Sequence, residues 1–116
     1  MTNESIKQAV REFKEESADF KSPKAEAKWG RVSDWDVSQV TSMYELFEDA
    51  REFNEDLHMW EVANVTTMYC AFRNAAAFNG DLSSWNVSKV ERMTNMFAGT
   101  NGGNYDTKAK APWVPQ

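Results

Sequence analysis

The stretch WDVSQVTSMYELF, residues 35–47, returns as WEVANVTTMYCAF at residues 60–72 and as WNVSKVERMTNMF at residues 85–97. The step between copies is twenty-five residues, and it aligns Trp35, Trp60 and Trp85 with one another. The same step aligns Val37, Val62 and Val87, then Val40, Val65 and Val90, then Met43, Met68 and Met93, and lastly Phe47, Phe72 and Phe97. A fixed period of this length marks an array in which each unit lays down one rung and neighbouring rungs close a shared core. Beyond each copy, AREFNEDL (residues 50–57) is echoed by AAAFNGDL (residues 75–82), while Thr100 and Gly103 stand where Ala50 and Phe53 would recur. The array therefore ends near residue 106.

Within one unit the hydrophobic period changes. Trp35 and Val37 alternate with polar neighbours, as in a short half-buried strand, whereas Val40, Met43, Phe47 and Ala50 share one face of a helix. Thr41 and Thr66 are placed to cap those helices. Each unit thus reads strand, turn, helix, loop, which makes the fold α/β. Ahead of the array, Ile6, Ala9, Val10, Phe13 and Phe20 have near-helical spacing, and a second helix is bracketed by Ser22–Pro23 and Gly30. Three regions follow: an N-terminal helical cap over 1–30, a three-repeat array over 31–106, and a capping tail over 107–116 whose Trp113 plugs the last rung. Together they form one structural domain.

Composition narrows the function classes. With 41% hydrophobic residues, five Trp and seven Phe, the chain is too apolar to stay disordered. A net charge of −5 argues against binding phosphate backbones or anionic lipid, so no nucleic-acid partner is expected. No stretch is long and apolar enough for a membrane span, and the start MTNESIKQAVREF lacks the pattern of a secretory signal. The single Cys70 forms no internal disulfide. These features suit a cytoplasmic chain or an intracellular assembly.

Candidate chemistry is sparse. Asn54-x-Asp56, Asn79-x-Asp81 and Asn104-x-Asp106 recur in step and could offer stacked oxygen ligands to calcium; bonding to nearby turn backbone is the favoured reading. His58 is the only histidine, and its repeat-mates are Ser33 and Ser83, which marks a solvated position. Cys70 aligns with Glu45 and Asn95, on the outer side of the expected helix. No catalytic residues, metal ligands or cofactor are expected, and the chain is not read as an enzyme. The acidic run of the first unit, which includes Glu45, Glu48 and Glu52, and the outward column Asp36, Glu61 and Asn86 are the candidate partner-binding residues. They suit a partner protein with a basic surface. Glu48 also aligns with Arg73, one unit on, for an ion pair between rungs.

The phrase WDVSQVTSMYELFEDAREFNEDL and its partner WEVANVTTMYCAFRNAAAFNGDL resemble the BspA-like leucine-rich-repeat surface proteins of the mycoplasma-lipoprotein type. Their unit runs W-x-V-S-x-V-x-x-M-x-x-M-F, followed by A-x-x-F-N-x-D-L. The resemblance implies a short right-handed leucine-rich-repeat-like solenoid of about three units, used for adhesion or protein recognition and displayed at a cell surface. The alternative is a structural subunit buried in a larger complex.

Overall fold

A computed structural model describes residues 1–115, and it builds each repeat from turns instead of the expected strand and helix. Helix α1 spans Asn3–Glu16 and helix α2 spans Pro23–Trp29. In α1, Thr2 and Ser5 cap the N-terminus reciprocally, and Ile6, Ala9, Val10 and Phe13 form its buried face. Helix α2 opens on the side chain of Ser22, with Pro23 in its first turn, and closes at Gly30. From there the chain enters the array through a single 3-10 turn at Val32–Asp34.

The strand-turn-helix, leucine-rich-repeat solenoid is not formed. Among the described residues there is no sheet, only the isolated parallel bridges Ser42↔Thr67 and Thr67↔Arg92. No helix occurs between Asp34 and Thr100. The reason lies in the backbone. Glu45, Cys70 and Asn95 have φ of +54°, +53° and +55°, and Asp49 and Asn74 have φ of +61° and +59°. A left-handed residue every four positions cannot belong to an α-helix.

These residues turn alternate N–H groups sideways, out of the rung. Met43, Glu45, Phe47 and Asp49 donate to the carbonyls of Thr67, Tyr69, Ala71 and Arg73 at 2.8–2.9 Å. Met68, Cys70, Phe72 and Asn74 repeat the pattern onto Arg92, Thr94, Met96 and Ala98. Tight turns fill in between, such as Leu46 N–H to the Met43 carbonyl and Ala50 N–H to that of Phe47. Thr41 and Thr66 cap no helix; the Thr66 N–H donates to the Thr41 carbonyl, and Glu91 does the same to Thr66.

The apolar columns are what these ladders hold together. Trp35, Trp60, Trp85 and Trp113 stack in one file with ring centroids 6.1, 6.5 and 6.1 Å apart. Three of the indole N–H groups donate to a backbone carbonyl one rung back, from Trp60 to Val32, Trp85 to Leu57 and Trp113 to Leu82, and that of Trp35 donates to the Gly30 carbonyl at the end of α2. A second file runs Phe47, Phe72, Phe97, and a third runs Phe53, Phe78, Tyr105. The rings thus bury both faces of each rung, with their one polar group satisfied.

Both ends of these files are covered. Phe13 of α1 packs on Trp35, and Phe20 packs on Phe47 and Phe53. At the other end Tyr105 lies on Phe97 at 4.5 Å, and the short helix α3, Thr107–Lys110, leads to Trp113. Of the tail 107–116, residue 116 lies outside the described residues. The cover is partial: Val87, Val90, Met93 and Phe97 of the third rung are half-buried, whereas their counterparts in the first two rungs are buried.

Candidate functional site

Local turn chemistry decides what the acidic candidates present. The Asp36 carboxylate accepts from the Ser38 N–H at 3.0 Å and from its hydroxyl at 2.7 Å, which holds its pKa below the usual carboxylate range. Asn86 makes the matching bond to the Ser88 N–H at 3.1 Å. These are Asx turns that fix the bend after Trp35 and Trp85. Glu61 has no such serine, and its side chain stands exposed. The column is therefore in register, but only Glu61 keeps its carboxylate uncommitted.

The acidic run of the first rung divides in the same way. Glu48 is half-buried and meets Arg73 at 3.2 Å, and that hydrogen bond raises the pKa of the guanidinium. Asp49 accepts from the Asn74 side chain at 3.0 Å. Glu45 and Glu52 are exposed. Glu45 sits on a left-handed residue whose N–H is tied to the next rung, so its carboxylate leaves the surface from a fixed point.

The loop Asn and Asp residues serve the turns. Asn54 accepts from the Asn79 N–H across one rung at 3.0 Å. Asp56 and Asp81 accept from the N–H groups of His58 and Ser83, and Asp106 caps α3 through the Ala109 N–H. Among the described residues no group of three or more His, Cys, Asp or Glu side chains is placed to hold a metal ion. His58 is half exposed, with Nδ1 2.7 Å from Asp56. Cys70 is not on an outer helix face; it is buried at a left-handed turn position. The two are not paired by any hydrogen bond.

Two surface features were not anticipated. Tyr44 and Tyr69 stack at 5.0 Å on the outside of the array, with the Arg92 guanidinium 4.9 Å over the Tyr69 ring. The twenty-five-residue step from Tyr44 to Tyr69 was the available signal. The second is a groove of about 640 Å³ between residues 93–98 of the last rung and Thr107, Val114 and Pro115 of the tail. No residue pattern announces it, because it exists only where the array stops.

A family model described as "Mycoplasma protein of unknown function, DUF285" matches residues 5–110. No curated protein and no solved structure matches the chain. Among the described residues no helix is long and apolar enough to cross a membrane.

Proposed function

The chain belongs to the mycoplasma family of unknown function DUF285, and from that premise we propose that it is a non-catalytic protein-recognition module whose acidic outer surface meets a basic surface on its partner. The observation that carries this reading is the set of uncommitted carboxylates, Glu45, Glu52 and Glu61, displayed on a backbone that neighbouring rungs hold in place. Fixed charges steer association and select partners without having been ordered at the moment of binding. The stacked Tyr44–Tyr69 pair beside Glu45 adds a rigid amphipathic contact of the type common at interfaces. The resemblance to BspA-like surface proteins supports the same role, with adhesion as one form of it.

The test is affinity capture from the source cells with the intact chain and with a Glu45→Gln/Glu52→Gln/Glu61→Gln variant. Recovery of a basic protein that the variant fails to retain, and that raised salt releases, is the expected result. Equal recovery by both chains would overturn the electrostatic reading. A second reading, a subunit of a larger assembly, is supported by the half-buried Val87, Val90 and Met93 of the last rung. Light scattering separates the two: a stable monomer fits recognition, and aggregation relieved by a co-purified protein fits the subunit.

A further inference from the structure

Along residues 43–49 and 68–74 the hydrogen bonds between rungs point one way, toward the next rung, while the Thr66, Ala77, Glu91 and Asn101 N–H groups donate to the rung before. In the first rung the N–H groups of residues 43, 45, 47 and 49 reach the second, and in the second those of residues 68, 70, 72 and 74 reach the third. The corresponding donors of the third rung are Met93, Asn95, Phe97 and Gly99. None of the four N–H groups has an acceptor among the described residues. Met93, Asn95 and Phe97 line the groove at this end, and the side chains of Val87, Val90 and Met93 in the same rung are half-buried.

The opposite end shows how such an edge is completed. There the first rung turns carbonyls outward, and α1 meets them with a basic stripe. Lys14 Nζ donates to the Glu48 carbonyl at 2.8 Å, while Lys7 and Arg11 line the groove beside Tyr44 and Leu46. One carbonyl of that edge, that of Glu48, is met by a cation, with Lys7 and Arg11 nearby, whereas the amide edge, which carries partial positive charge, is left open. Successive N–H groups of a right-handed/left-handed alternation form a concavity that attracts acceptor oxygens.

We infer that the open edge of the third rung docks a repeat unit of this same kind carried on a different polypeptide, through a row of its backbone carbonyls. Polarity selects that occupant. Two copies of this chain meeting edge to edge would set N–H against N–H. A head-to-tail stack would require α1 to leave the first rung, with loss of the Phe13–Trp35 and Lys14–Glu48 contacts. A unit with free carbonyls and Val, Val and Met columns would instead pair with residues 93–99 along the backbone as residues 68–74 pair with the third rung, leaving Trp113 on Trp85 and Tyr105 on Phe97. Its apolar columns would also cover Val87, Val90 and Met93. The inference takes from the recognition reading only that the partner is a protein, and it concerns a different surface from Glu45, Glu52 and Glu61.

The probe is a synthetic peptide of residues 84–104, SWNVSKVERMTNMFAGTNGGN, titrated into the isotopically labelled intact chain. In this chain that segment supplies the carbonyls that the second rung uses. Amide resonances of Met93, Asn95, Phe97 and Gly99 should shift together, and their hydrogen exchange should slow about tenfold at saturation. A scrambled peptide should do neither. The inference is overturned if those four amides do not respond, if sodium glutamate alone reproduces the shifts, or if the same amides become protected by self-association as the chain is concentrated. Each of these failures leaves the charge-dependent capture test untouched, so the two readings fail separately.

Discussion

At the scale of single residues, the array depends on a few backbone positions that most side chains avoid. Glu45, Cys70 and Asn95 occupy one left-handed column, and Asp49, Asn74 and Gly99 occupy another. A left-handed residue other than glycine is strained by roughly 1 kcal/mol or more, so Glu45→Gly, which removes an exposed side chain, should raise stability by about 0.5–1 kcal/mol in urea unfolding. A loss instead would mean that the carboxylate itself is needed. Phe72 is the opposite case. It is fully buried and its ring faces those of Phe47, Phe78, Trp85 and Phe97. Phe72→Ala should cost about 3–5 kcal/mol by the same measurement. A cost below about 1 kcal/mol would show that the ring file is not what holds the rungs together.

At the scale of elements, α1 and α2 act as one cover because Glu12 joins them. Its carboxylate accepts from Lys28 Nζ at 2.9 Å and from the Trp29 indole at 3.2 Å. The Lys28 bond, and then the Trp29 bond, hold the Glu12 pKa below its ordinary value. A lowered carboxylate pKa gives stability that is present above the unfolded value of about 4.3 and is lost as pH falls through the folded one. Glu12→Gln should therefore flatten the acid limb of a melting-temperature profile taken from about pH 6 down to pH 3; an unchanged limb would place the acid sensitivity elsewhere. The capping box is a second point of entry. Thr2→Ala removes the acceptor for the Ser5 N–H and should cost about 1 kcal/mol, read as earlier hydrogen exchange in the first turn of α1. The repeats themselves are elements of another kind. In the first two rungs the i→i+3 turns lean on the next rung, since about half of their N–H groups are satisfied only there.

At the scale of the whole molecule, the stack is closed differently at its two ends. The N-terminal end is covered by helices, with Lys14 on the Glu48 carbonyl, and the C-terminal end by Tyr105, α3 and Trp113. Tyr105 donates its hydroxyl proton to the Gly80 carbonyl at 2.7 Å, and burial pushes its pKa above the usual tyrosine range. A raised pKa means that the neutral form is the stabilised one. Its contribution is complete below the unfolded value of about 10 and is lost as pH rises through that value toward the folded one. The urea midpoint should fall above about pH 10 in the wild type, and Tyr105→Phe should remove much of that fall. An identical alkaline profile in the variant would show that the tail is not titrating as a cover.

Much of the core was legible in the sequence. The twenty-five-residue step alone determined that Trp35, Trp60 and Trp85 share one file, that Phe47, Phe72 and Phe97 share another, and that Glu48 lies against Arg73. Side chains one period apart occupy equivalent places in any stacked array, whatever the backbone does between them. Only the tertiary structure decided the backbone. Val40, Met43, Phe47 and Ala50 have the spacing of a helix face, and a chain of tight turns with a left-handed residue every four positions buries the same set. Apolar periodicity cannot separate the two, because the choice depends on where the N–H groups find acceptors. Here the acceptors are carbonyls about twenty-four residues on, in the neighbouring rung. The open donor edge at residues 93–99 has the same origin, since a donor lacks an acceptor only in relation to the rung that would have followed it.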